Sequence, residues 1–243
     1  MRFLVLATTV VALAGCSGGP DATQAYDLLQ RSQAAQANLS TVSYEAKSSF
    51  SVQGQKFGYT FRGQAQLQGA SAGDQWLELT SQEVPGVGKI TMTMVRRGSR
   101  LTVRSMGSTQ EVPVPAELQG KKEAWGSFDS LDLASCVDDV DVAEGQTVNG
   151  EPATRVAGEF DPVCAFEAVG GVSSLGQNTG PAPDLDQLRD HLGGARASLF
   201  FSERTHLLVG GLITLEVEVD GHEISFDVSY RLTGVNRPVR FPA

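Results

Sequence analysis

Histidine and cysteine are scarce in this sequence, with three of each in 243 residues. His191, His206 and His222 are scattered, and neither a His-Glu-x-x-His nor a Cys-x-x-Cys spacing occurs. The usual zinc-site spacings are therefore missing. Gly-x-Ser-x-Gly, the turn that presents a hydrolase nucleophile, is absent too. Gly171-Val172-Ser173-Ser174-Leu175 breaks that pattern at its last position. With no catalytic, metal or cofactor motif, the chain reads as a protein that is not an enzyme. Basic residues are few: 19 Lys and Arg face 28 Asp and Glu, for a net charge of −9. No basic cluster offsets that balance, which argues against nucleic acid as a partner. Attraction to anionic headgroups by net charge alone is equally disfavoured. Asp129, Asp132, Asp138, Asp139, Asp141 and Glu144 lack the alternating spacing of a Ca²⁺ loop and read as a solvated face.

Long apolar runs are missing as well. The longest is Phe3–Leu13, well short of the roughly 20 residues that span a hydrocarbon core as a helix. It follows the basic Arg2 and ends in small residues, as a signal peptide does. Leu13-Ala14-Gly15-Cys16 is a lipobox, the pattern of bacterial lipoprotein precursors. Residues 1–15 are thus expected to be cleaved off, with a diacylglycerol on the Cys16 thiol and a further acyl chain, such as palmitate, on its amine. Two chains anchor stably where one is marginal. Residues 16–21 then form a short flexible lipidated tether, whose five residues after Cys16 reach under about 20 Å at roughly 3.5 Å per residue. The expected location is the extracytoplasmic face of the cell membrane. Two further Cys, Cys136 and Cys164, are an even pair in an oxidising compartment. A disulfide is the preferred reading, stabilising by roughly 3 kcal/mol in the chain-entropy model. Two buried thiols are the alternative.

The remainder, residues 22–243, carries strong periodicities. Ala25, Leu28, Ser32, Ala35 and Leu39 recur at helical spacing, with Asp21 as N-cap, and predict a helix over 22–39. Val42, Tyr44, Ala46, Phe50 and Val52 then alternate with polar residues. Phe57, Tyr59, Phe61, Ala65 and Leu67 do the same, predicting a long hairpin with one buried face. Further strands are expected at Gln75–Ser81, Lys89–Arg96 and Arg100–Ser105. Residues 106–139 read as irregular, because Pro113 and Pro115 forbid a central strand. Phe128, Leu131 and Leu133 are placed on a short helix there. A hairpin crosses Asn149-Gly150. The Gly- and Ser-rich stretch 168–184 reads as a loop, either a lid or an insertion. A helix capped by Asp184 carries Leu185, Leu188 and Leu192 and ends at Gly193-Gly194. Strands at Ala197–Glu203, Leu207–Val219 and Glu223–Thr233 close the chain. The predicted class is α+β: one large curled antiparallel sheet, a half-barrel, with helices covering its concave face. A crevice between the layers would be apolar and would suit apolar ligands. Its candidate lining is Phe57, Tyr59, Phe61, Ile90, Met92, Met94, Phe226, Val228 and Tyr230. A plain core made of the same residues is the competing reading. Trp76 and Trp125 either flank a mouth or pack.

These features resemble a known family. The lipobox precedes a helix, then Val42-Ser43-Tyr44-Glu45-Ala46 and a one-sided meander. Val148-Asn149-Gly150-Glu151-Pro152-Ala153-Thr154-Arg155-Val156 lies mid-chain, and Asp227-Val228-Ser229-Tyr230-Arg231-Leu232 near the end. The chain looks like the LppX/LprG-type lipoproteins of actinobacteria, within the wider LolA/LolB superfamily. The resemblance implies a half-barrel with an apolar cavity that carries lipids, glycolipids or lipid-modified proteins through the cell envelope. Related half-barrels act instead as envelope sensors or protein-interaction modules, which is the alternative function. Implied partners are the membrane, a lipid or glycolipid, and other envelope proteins.

Overall fold

A computed structural model describes residues 20–52, 55–82, 88–114, 137–161, 192–219 and 222–242. Helix α1 (Pro20–Gln36) comes first. Pro20 stands in the first turn, where its missing N–H costs nothing, and Asp21 complements the positive helix end. Ala25, Leu29 and Ser32 form its buried stripe, with Leu28 and Ala35 half-buried beside it. Beyond its last turn, the Asn38 side-chain amide donates to the Ala34 carbonyl (2.8 Å).

Among the described residues eleven strands follow: β1 (Thr41–Val52), β2 (Gln55–Gln66), β3 (Gln75–Ser81), β4 (Thr91–Arg97), β5 (Arg100–Ser105), β6 (Ser108–Pro113), β7 (Val137–Val148), β8 (Glu151–Phe160), β9 (Leu192–Ser202), β10 (Leu208–Val219) and β11 (His222–Val235). They form a single open sheet in the order β6-β5-β4-β3-β2-β1-β11-β10-β9-β8-β7, with antiparallel neighbours throughout. Every pair but one joins strands consecutive in the chain. The exception is β1 with β11, which places the first and last strands at the centre. Register shifts interrupt β1/β11, β9/β10 and β7/β8. Such bulges bend a strand and raise its local twist.

Three elements differ from the sequence reading. β6 was expected to be irregular. It is a strand that, among the described residues, pairs with β5 alone, so Pro113 sits on an edge, where a missing ladder donor is tolerated. β7 likewise begins at Val137, inside the stretch read as irregular. Leu192, Gly193 and Gly194 were expected to end a helix. They open β9, with Leu192 opposite Val217 on β10. Pairing with two long neighbours outweighs the i, i+4 spacing of Leu188 and Leu192. The loop 168–184, the helix from Asp184 through Leu188 and the short helix at Phe128–Leu133 lie outside the described residues, as do Trp125 and all three Cys.

The sheet is two-faced. Side chains alternate along each strand, and the register carries each face across the ladder. One face holds Leu199 and Phe201 on β9, Val156 on β8 and Leu208 at the start of β10. These join Ala25 and Leu29 of α1 in a buried cluster. The helix thus covers the β7–β10 side of this apolar face. A second cluster, Val42, Tyr44, Ala65 and Leu77, lies on the same face across β1–β3. The opposite face is polar. There Arg231, Glu45, Arg62 and Glu78 stand opposite one another across β11, β1, β2 and β3. Arg231 pairs with Glu45 and Arg62 with Glu78, each at 2.7 Å. The chain end also runs over this face: the Arg240 N–H donates to Gln64 Oε1 (2.8 Å), and Arg97 lies 4.5 Å from the Phe241 ring centroid.

Candidate functional site

The register decides which predicted residues meet. Phe226, Val228 and Tyr230 on β11 stand opposite Phe50, Ser48 and Ala46 on β1. Those stand opposite Phe57, Tyr59 and Phe61 on β2. Phe61 continues to Leu79 on β3 and from there to Met92 on β4, while Met94 faces Leu77. Eight of the nine expected residues therefore share one face, the face on which α1 packs. Ile90 was expected inside a strand with Met92 and Met94, but β4 begins at Thr91. Ile90 is tied to Ser81 instead: its N–H donates to Ser81 Oγ (2.9 Å), and its carbonyl accepts the Ser81 N–H (2.8 Å). Trp76 falls on the polar face, opposite Gln64 and Val95.

At one end of this apolar face the aromatics stack. Phe50 lies 4.9 Å from Phe57, 5.9 Å from Phe226 and 6.3 Å from Tyr59, ring centroid to centroid, with the rings near parallel. Phe50, Phe57 and Tyr59 are half-buried, and Phe226 is 40% exposed. Offset aromatic pairs are worth about 0.5–1.5 kcal/mol beyond their area, so the rings are ordered by one another while keeping apolar surface free. Phe50 was read as a strand residue but not as a site residue. Its alternation with Val52 was visible, but its position between Phe57 and Phe226 depends on a pairing between chain ends.

Away from the stack, Tyr44 lies against Gly63, its register partner. A Cβ on Gly63 would come within 2.7 Å of the Tyr44 hydroxyl and 2.6 Å of the Trp76 carbonyl oxygen. Only glycine leaves room for the ring there. The Tyr44 hydroxyl is buried and, among the described residues, makes no hydrogen bond. Burial drives its pKa well above the usual value, and neighbouring Tyr230 adds to the shift. Burial alone raises Tyr230 to about 12. Both phenols thus stay neutral in an apolar setting. His206 sits in the turn after β9, where its N–H donates to the Ser202 carbonyl (2.8 Å). Among the described residues no three of His, Cys, Asp or Glu are grouped to hold a metal ion, and no helix is long and apolar enough to cross a membrane.

No family model matches the sequence, and no curated protein matches it. Solved structures do. LprF from Mycobacterium bovis superposes with a TM-score of 0.56 at 15% identity, over 93% of this chain and 99% of that one. This chain has the LprF fold. The Mycobacterium tuberculosis lipoprotein LppX matches with a TM-score of 0.51 at 12% identity, over 90% of this chain and 99% of that one. The resemblance read from the sequence thus holds at the level of fold. In this LprF-like sheet the stacked aromatics lie at the centre, on the strands that the β1/β11 pairing brings together.

Proposed function

We propose that this chain is a lipid-anchored protein of the bacterial cell envelope that binds an acylated ligand against the apolar face of its sheet and carries it. The observation that carries the reading is the continuous apolar strip from Met92 through Phe61, Tyr59, Phe57 and Phe50 to Phe226, left half-exposed at its aromatic end. A monomeric protein rarely leaves such a patch without a use. Moving acyl chains from water onto it gains about 0.8 kcal/mol per buried methylene, so no chemical step is needed. Met92 and Met94 are suited to chains of varying shape, because the thioether side chain is flexible and polarizable. The bulged sheet curls around this face in the proposal, making the half-barrel that the resemblance implies.

In this reading Cys16 carries the acyl anchor, residues 1–15 are removed, and a Cys136–Cys164 bridge links the chain just before β7 to the chain just after β8, closing the loop that holds the β7–β8 hairpin. The protein works on the extracytoplasmic side of the membrane. The test is to express the full chain in an actinobacterial host, purify it, extract bound lipid and identify it by mass spectrometry. Stoichiometric acylated lipid supports the proposal. A lipid-free protein that co-purifies with another envelope protein would replace it with an interaction module.

A further inference from the structure

The hairpin between β5 and β6 turns through only two residues, Met106 and Gly107, because Ser105 stands opposite Ser108. Both have positive φ, 49° and 78°. That is the geometry of a type I′ turn, which favours Asn, Asp or Gly at its first position. The chain uses the favoured pair elsewhere: Asn149-Gly150, with φ of 54° and 81°, joins β7 to β8. Methionine is the costlier occupant. Left-handed backbone crowds its Cβ, and it lacks the short polar group that lets Asn bond locally. Packing gives nothing back, since Met106 is 80% exposed, more than any other large hydrophobic among the described residues. A strained position that holds an unpacked apolar group points to an apolar environment outside the chain.

Its location narrows what that environment is. The β5–β6 turn lies at the same end of the sheet as the end of β1 and the starts of β2 and β11. This is the end where Phe50, Phe57 and Phe226 stack. Arg104, two residues before Met106, and Lys89, just before β4, are exposed there. Glu111, midway along β6 and opposite Thr102, lies on the same face between Arg100, with which it pairs (3.2 Å), and Arg104. We propose that the Met106–Gly107 tip is a bilayer contact. Met106 enters the boundary between headgroups and acyl chains, and Arg104 and Lys89 meet lipid phosphates. An apolar residue flanked by long basic side chains suits that interface. The contact turns the half-exposed aromatic end toward the membrane. It requires a membrane within reach, which the proposed anchor supplies, but it does not depend on which ligand is carried.

The experiment uses the full chain bound to vesicles of mixed zwitterionic and anionic phospholipid, with and without bromine on the acyl chains near the headgroup. Met106→Trp is compared with Val112→Trp, at the opposite end of β6, after subtraction of the native Trp signal. The Met106→Trp emission is expected to shift to the blue and be quenched by the brominated lipid, while Val112→Trp is unaffected. Equal or absent quenching at the two positions overturns the proposal. Met106→Asn supplies a second measurement. It relieves the turn, so the melting temperature is expected to rise by about 2–4 °C. A fall would mean that Met106 packs on its own chain, and the proposal would fail. Bound lipid in the extraction above, without quenching at 106, would sink the bilayer contact and leave the carrier reading intact.

Discussion

Replacing Tyr44 with Phe should make this protein more stable. Tyr44 is 7% exposed, and among the described residues its hydroxyl has no hydrogen-bond partner. Removing a satisfied buried hydroxyl normally loses a bond. Here there is none to lose, and the desolvation penalty of about 1–3 kcal/mol for an unsatisfied group is relieved. The gap left by one oxygen returns part of that gain, so the expected net effect is about 1 kcal/mol. For a domain of this size that raises the melting temperature by about 2–4 °C. The ring stays over Gly63, so the fold is preserved. Urea unfolding followed by circular dichroism gives the free energy directly, and an unchanged slope against denaturant would show that only stability moved. A loss of 1 kcal/mol or more would refute the reasoning, since it would require a bond that the hydroxyl does not make. The same chemistry sets an alkaline limit. Tyr44 and Tyr230 hold their protons more tightly when folded, Tyr230 to about 12. The folded state therefore binds more protons than the unfolded state above pH 10. That stability is fully present below pH 10 and is lost as the pH rises toward 12. Tyr230→Phe should flatten the decline in an alkaline titration of stability.

Gly63→Ala should destabilise by about 1–3 kcal/mol, because the added methyl meets the Trp76 carbonyl and the Tyr44 ring; unfolding at the wild-type midpoint would show the space to be free. Phe226→Asp should cost only about 1 kcal/mol, the order of one aromatic pair, yet strip bound lipid from the purified protein, as read by mass spectrometry; full retention would remove the aromatic stack from the binding surface. Leu29→Ala should cost about 2–5 kcal/mol, since Leu29 is buried against the β8–β10 cluster; a cost below 1 kcal/mol in urea would mean that α1 does not hold the sheet. Cys16→Ser should abolish acyl mass on the N-terminal peptide and release the protein from the membrane fraction; persistent acylation would refute the anchor.

Alternation has a range of two residues, so it can be read locally. It marked Phe57, Tyr59 and Phe61 as one side of a strand and Phe226, Val228 and Tyr230 as one side of another, and both readings match the register. Asn149-Gly150 marked its turn for the same reason, because both residues tolerate positive φ. Helical spacing was less decisive. It placed α1 to within a few residues but carried Leu192 into a helix, because nothing local to Leu192 reveals that Val217 lies opposite. Proline correctly barred a central strand at 113, but only the sheet order shows that an edge was available there.

Most strand positions and the faces of the strands were thus properties of short stretches of sequence. The order of the strands was not. Pairing between β1 and β11 spans nearly the whole chain, and no short-range pattern encodes which apolar strand meets which. That single long-range contact puts Phe50 beside Phe226 and places the aromatic stack at the centre of the sheet. Local stereochemistry fixed the residues that share a face. Non-local hydrogen bonding, which only the folded chain can satisfy, decided which of those faces became one surface.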